Sequence, residues 1–149
     1  MLILIRGLPG SGKSTFAREY FPNEICFEKL GMNPKYIHLE ADMYFTDNEG
    51  NYNFNRSLLR NAHSWCQETA KIMMNQGLNV IVSNTFTTLK EMQFYLDHAK
   101  LLGIEVWVYR MTSNYGSIHN VPEETIERMR NRFEDYEGEI LYYGERIIE

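Results

Sequence analysis

No apolar run in the sequence is long. The longest, Met1–Ile5, stops at Arg6 and Gly7. That is short of the roughly 7–15 residues of a secretory core and of the about 20 needed to span a membrane. Cysteine is scarce: Cys26 and Cys66 stand 40 residues apart, with no CxxC and no metal-ligand spacing. A disulfide framework and a zinc module are thereby excluded, and the pair reads as two thiols of a reducing compartment. Internal repeats and low-complexity tracts are also missing. So is a basic excess: 15 Lys and Arg face 20 Asp and Glu, a net charge of −5. All of that charge lies in residues 123–149, with nine acids and four bases, while residues 1–122 hold eleven of each. A broadly basic nucleic-acid binder is excluded, although a local basic groove is not. The expectation is a protein with no membrane partner, working in a cytoplasm, its own or that of a virus-infected host.

What remains is an ordinary globular composition over 149 residues, the length of one domain, taken as 1–149. Leu2–Ile5 is a short run of branched residues followed at once by glycines, the pattern of a buried parallel strand. Lys13–Tyr20 reads as a helix closed by Pro22. Residues 36–40 form a second strand, and 46–55, dense in Asn, Asp and Gly, a loop. Over 56–76, Leu59, Ala62, Cys66, Ala70 and Met73 recur at helical spacing, with Gly77 as a C-terminal cap. A strand over 78–83 precedes a capping box, Thr88 with Glu91, that opens a helix reaching Gly103. A strand over 104–111 follows, then a polar connection over 112–120. A last helix, announced by Asn120, Pro122 and Glu123, runs to about Tyr136. The tail after it is open between a coil and one more strand. Strands alternating with helices imply an α/β fold, a parallel sheet of four to five strands with helices on both faces.

Gly7-Leu8-Pro9-Gly10-Ser11-Gly12-Lys13-Ser14 carries the spacing GxxxxGKS between a buried-type strand and a helix, the context that makes it a P-loop. Glycines let backbone N–H groups turn toward phosphate oxygens, and the helix start adds partial positive charge. Leu8 to Thr15 form the cradle. Lys13 reaches the β- and γ-phosphates, Ser14 offers a hydroxyl to Mg²⁺, and Thr15 is a first-turn phosphate contact. No NKxD guanine-reading sequence is present, and the length leaves little room for a motor or G-domain, so a small kinase is the economical reading.

Such a kinase needs a carboxylate beside the acceptor hydroxyl. Ligands of parallel sheets lie beyond the carboxyl ends of strands, and the second strand ends in Glu40 and Asp42. Asp42 is the candidate, orienting the hydroxyl and taking its proton late. Glu40 points the same way by strand alternation. Arg128 and Arg132, four apart on the last helix, share a face and are candidate catalytic arginines of a lid. Arg110, at the end of the fourth strand, is another active-edge arginine.

Four stretches, RGLPGSGKST (6–15), EADMYF (40–45), VIVSNTFTT (80–88) and HNVPEETIERM (119–129), resemble the polynucleotide-kinase-like P-loop kinases over nearly the whole chain. The resemblance implies a small-kinase P-loop NTPase with a short lid, ATP and Mg²⁺ as donor, and a hydroxyl acceptor, foremost a nucleic acid 5′ end. It places Asp42 on the catalytic carboxylate and Asn84 and Thr85 beside the P-loop and the acceptor. The lid falls on the segment after the fourth strand. His63, on the long helix, is a candidate acceptor contact, and His119 a hinge of the lid.

The chain departs from that pattern at three places. Ser83 stands where related kinases often carry aspartate. Phe45 replaces an arginine that grips the acceptor phosphate in the bacteriophage enzyme. Ser117 and Ile118 stand where a lid arginine would be welcome. Tyr44, Phe45, Tyr52 and Phe54 cluster near Asp42, as base-stacking or loop-ordering groups. Met129 and Phe133 read as packing rather than an adenine slot. Three readings stay open: a polynucleotide 5′-kinase, a kinase of nucleosides, nucleotides or small metabolites, and an ATP-binding regulatory module.

Overall fold

The computed structural model describes residues 1–21, 24–26, 36–114 and 121–143, with 24–26 described through their backbone. The fold is the expected α/β P-loop NTPase of small-kinase type. Its strands are β1 (Leu2–Arg6), β2 (Glu24–Cys26), β3 (Tyr36–Leu39), β4 (Asn79–Asn84), β5 (Val106–Met111) and β6 (Ile140–Tyr142). They form one parallel sheet in the order β2-β3-β4-β1-β5-β6. Two strands exceed the expected count or complete it. The three-residue edge strand β2 is too short to show a periodicity. The ambiguous tail becomes β6, paired to β5 from Tyr109↔Ile140 to Met111↔Tyr142.

Alternation along β1 splits the core in two. Leu2 and Leu4 join Ile37, Leu39, Val80 and Val82 on one face, covered by α2 (Leu59–Asn75) and α3 (Leu89–Leu102). Ile3, Ile5 and Ile81 turn to the other face, under Phe16 and Ala17 of α1 (Lys13–Tyr20). The connection leaving β1 runs to the β2 edge, while the one leaving its neighbour β4 runs the other way, past β1 to β5. That divergence opens the crevice at the carboxyl edge where α/β folds bind ligands.

Local signals explain most helix ends. The capping box of Thr88 and Glu91 is formed, and α3 stops at Gly103 in the left-handed region, φ 68°. Arg56–Leu58 is a 3₁₀ turn leading into α2 rather than its first turn. α4 (Glu123–Arg132) begins one residue after Pro122, itself the capping residue; Asn120 lies outside the described residues. The helix also ends earlier than its pattern predicts. Phe133 is extended, φ −67° and ψ 120°, because its ring leaves the helix to lie between two arginines.

Candidate active site

The P-loop turns on backbone that only glycine adopts without strain: Gly10 has φ 79° and Gly12 φ 90°. Gly7 is fixed by space instead. A Cβ there would stand 2.4 Å from Ser11 Oγ and 3.0 Å from Met111 Cβ. Gly7 N–H donates to the Thr85 carbonyl at 3.2 Å, tying the loop to the turn after β4. Ser11 Oγ is buried without a hydrogen-bond partner, an orphaned donor inside a cradle of glycines, which fits an anion. Leu8, Pro9, Gly10, Gly12 and Thr15 are partly exposed along the same loop. Lys13 Nζ donates to the carbonyls of Gly7 (3.1 Å) and Leu8 (3.0 Å). Burial pulls its ammonium down to about 8, against the opposing pull of Glu40 and Asp42.

The acids stand just beyond β3. His38, Glu40 and Ser83 alternate onto the α1 face of the sheet, opposite Leu39 and Val82. Ser14 Oγ donates to Glu40 Oε1. His38 Nε2 lies 3.4 Å from that same oxygen and 2.7 Å from Ser83 Oγ. A serine hydroxyl against a carboxylate at the mouth of a phosphate cradle is a donor set of hard oxygens, and it fits Mg²⁺. The chain then enters a 3₁₀ turn, Ala41–Phe45. With Ala41 and Phe45 buried against Ala62, Asp42 falls on the more open side of the turn. Tyr52 donates its hydroxyl to Asp42 Oδ1 at 3.4 Å, and burial, with Asp42 beside it, pushes the phenol up to about 12.

Phe45, where the resemblance would have an arginine, is 6% exposed and packed edge-on to Tyr52 and Phe54. The aromatic group therefore orders the loop around Asp42, and Phe54 is its most exposed ring.

The remaining expected contacts divide. Asn84 is spent inside the fold: its Oδ1 accepts the Ala41 N–H at 2.9 Å and its Nδ2 reaches Cys66 Sγ at 3.8 Å. It thus sets the start of the turn that carries Asp42. Cys66 is a buried thiol, pushed up to about 11 by that burial, while the Cys26 side chain lies outside the described residues. Thr85 is partly exposed beside the loop. His63 lines an open cleft with Gln67, Phe86, Glu91 and Tyr95, between the starts of α2 and α3.

On the far side of β1 the arginines are engaged with the fold. Arg132 Nε donates to Thr87 Oγ1 at 3.1 Å, Arg128 Nη2 to Thr125 Oγ1 at 3.2 Å. Arg130 pairs with Glu127. Arg110 binds Asp135 (2.5 Å) and Glu139 (3.2 Å). Arg6, fully buried, had no assigned role in the sequence reading. It donates to the Phe86 carbonyl at 3.0 and 2.7 Å and to Glu139 at 2.9 Å. Phe86 has φ 45°, and these bonds hold its strained backbone in the turn after β4. The Phe133 ring lies between both guanidiniums, 4.5 Å from Arg6 and 4.4 Å from Arg110. Met129 is likewise only half-buried on α4, which contributes no buried residue to the core. The only advance signal for Arg6 was a charge closing an otherwise apolar strand. The lid residues Ser117, Ile118 and His119 fall outside the described residues.

A family profile described as "AAA domain" matches residues 2–114, from β1 through the end of β5. The chain belongs to that AAA-domain family. Human NEDD4-binding protein 2 is 31% identical over 146 residues, covering 91% of this chain; the chain spans only 8% of that protein's length. Among solved structures, Kti12 of Chaetomium thermophilum with ADP-AlF3 superposes with a TM-score of 0.66 at 14% identity, over 95% of this chain and 88% of that one. A chain of the Pnkp1/Rnl/Hen1 RNA repair complex gives 0.54 at 19% identity, over 88% and 37%. A gluconokinase of Sinorhizobium meliloti gives 0.57 at 14%, over 93% and 79%. At these identities the structural likenesses establish the fold alone, that of a kinase-like P-loop domain. No helix among the described residues is long and apolar enough to cross a membrane.

Proposed function

We propose that this AAA-domain chain is an ATP-dependent kinase that transfers the γ-phosphoryl group to a hydroxyl, foremost the 5′-OH of a polynucleotide. One observation carries the reading: Ser14 of the P-loop, next to Lys13, donates its hydroxyl to Glu40, two residues before Asp42. A phosphate-neutralising ammonium and a hydroxyl-orienting carboxylate thus share one crevice.

The residues divide the work. The N–H groups of residues 10–15, at the loop and the start of α1, bind the phosphates. Lys13 leaves its carbonyl partners to meet the β- and γ-oxygens, and the phosphates hold its ammonium charged against the burial that disfavours it. Ser14, with the carboxylate beside it, would hold Mg²⁺, which when bound screens the phosphate oxygens. Asp42, with Tyr52 bonded to it, aims the acceptor hydroxyl. The acceptor oxygen bonds to γ-phosphorus as the bond to the bridging oxygen breaks. ADP departs, and the acceptor proton passes to Asp42 late in the transfer. Arg128 or Arg132 would serve the transferring group on closure of α4, exchanging a neutral threonine partner for phosphate.

The test is transfer of labelled phosphate from ATP to 5′-hydroxyl oligonucleotides. Asp42→Asn is expected to lower kcat about 10²–10⁴-fold with ATP affinity retained; unchanged turnover would remove Asp42 from the assigned role. Phe45 favours a second reading with the same donor half. That position faces the apolar cluster rather than the crevice, so it offers no cation to an acceptor phosphate, and a nucleoside or small-metabolite hydroxyl becomes the acceptor. Competition among oligonucleotides, mononucleotides, nucleosides and sugars separates the two. ATP binding with no transfer to any of them would instead support a regulatory module.

A further inference from the structure

We infer that Glu40 is the metal carboxylate of this site, completing with Ser14 the Mg²⁺ position that the P-loop alone leaves half-built. The inference rests on the reading of the crevice as a Mg²⁺–nucleotide site. P-loop sites hold the ion between the Ser or Thr hydroxyl and a carboxylate brought from elsewhere in the fold. β4, hydrogen-bonded to β1, ends in Ser83 and Asn84, neither of them an acid. Ser83 is buried and bonded to His38, and Asn84 holds Ala41. The carboxylate comes from one strand further out. One residue past the paired Leu39 and Val82 stand Glu40 and Ser83, and extended backbone at Glu40, φ −137° and ψ 143°, keeps its side chain on the α1 face. From there it crosses toward α1 and meets Ser14 Oγ.

Two further observations separate Glu40 from a chance contact. The first is its support. His38 Nε2, itself in a buried ring, lies within 3.4 Å of the oxygen that faces Ser14 and is held by Ser83 at 2.7 Å. Metal carboxylates carry outer partners of this kind, and those partners orient them. The second is the division of labour between the two acids. Asp42 is bonded to Tyr52 on the open side of its turn, and Glu40 is the acid bonded to Ser14 of the P-loop. The carboxylate nearer the phosphates is therefore Glu40. Glutamate rather than aspartate suits a position two strands from β1, because the extra methylene lengthens its reach across β4.

The test uses Mn²⁺ as the probe and needs no turnover. Paramagnetic resonance is used to titrate Mn²⁺ into the protein with a non-hydrolysable ATP analogue, and calorimetry measures nucleotide binding in EDTA. Glu40→Gln keeps the shape and loses the charge. It is expected to weaken Mn²⁺ in the ternary complex about 10–100-fold, with metal-free nucleotide bound equally or more tightly, since a negative charge beside the phosphates is gone. Mn²⁺ affinity within about twofold of the parent, or an equal loss of metal-free binding, overturns the inference. If Glu40→Gln unfolds, Glu40→Asp is read the same way: it keeps the charge but retracts it, and a loss of several-fold confined to Mn²⁺ is expected, no loss being the overturning result. A chain that binds Mn²⁺ through Glu40 yet phosphorylates nothing sinks the kinase reading and leaves this one standing.

Discussion

Two charge clusters flank β1 at the same edge of the sheet, and they are built on opposite rules. Toward β3, Lys13 donates to backbone carbonyls while two carboxylates, Glu40 and Asp42, stand close by. Toward β5 and β6, the charges are matched one to another. Arg6 and Arg110 share Glu139, Arg110 also holds Asp135, and Phe133 fills the space between the guanidiniums. The second cluster gains nothing by rearranging, so it serves the fold: it anchors the chain leaving α4 to β1 and to the Phe86 turn. The first holds its lysine on neutral acceptors, which a phosphate outcompetes. Charge at a site edge is thus not by itself a mark of chemistry; how completely it is paired decides.

Variants can break that comparison. The largest effect is expected at Asp42→Asn, in turnover and not in stability. Next, Arg6→Met should lower unfolding free energy by about 3 kcal/mol in denaturant titrations, because a buried partner of Glu139 and two carbonyls disappears. If it instead leaves stability unchanged and abolishes transfer, the two clusters are not divided as described. A smaller effect sharpens the Lys13 side. With its free pKa near 8, Lys13 is mostly neutral at pH 8.5, and phosphates raise that value on binding. Nucleotide binding should then take up about 0.5–0.8 proton at that pH and weaken as pH rises further. Calorimetry in buffers of different ionisation enthalpy reads the uptake, which Lys13→Arg should remove. The smallest effect is Tyr52→Phe. Its 3.4 Å bond to Asp42 is long, so a loss in kcat/KM below about fivefold is expected.

Both clusters were unequally visible in the sequence. The cradle was legible because its determinants are contiguous: glycine conformations, Lys13 and Ser14 within eight residues, between a strand and a helix. The capping box of α3 was legible for the same reason. Arg6 was not, because its partner Glu139 lies 133 residues away and nothing local marks it. Phe45 and Asp42 are three residues apart, and only tertiary packing decides that Phe45 joins Ala41 and Ala62 while Asp42 meets Tyr52. Asn84 was expected on the turn after the strand but closes β4 itself, and its amide is committed to Ala41 and Cys66. Glu40 was visible as an acid on the active edge, but its contact with Ser14 needs two strands and α1 to be assembled first.

By itself, then, the sequence determined the P-loop, the α/β alternation and the strand ends at which chemistry gathers, since these follow from backbone preferences and periodicities acting over a few residues. Only the tertiary structure decided which charges pair with one another and which are left beside the cradle. A side chain's partner is set by whichever group the packed sheet brings within about 3 Å, and that distance is a property of the assembled strands.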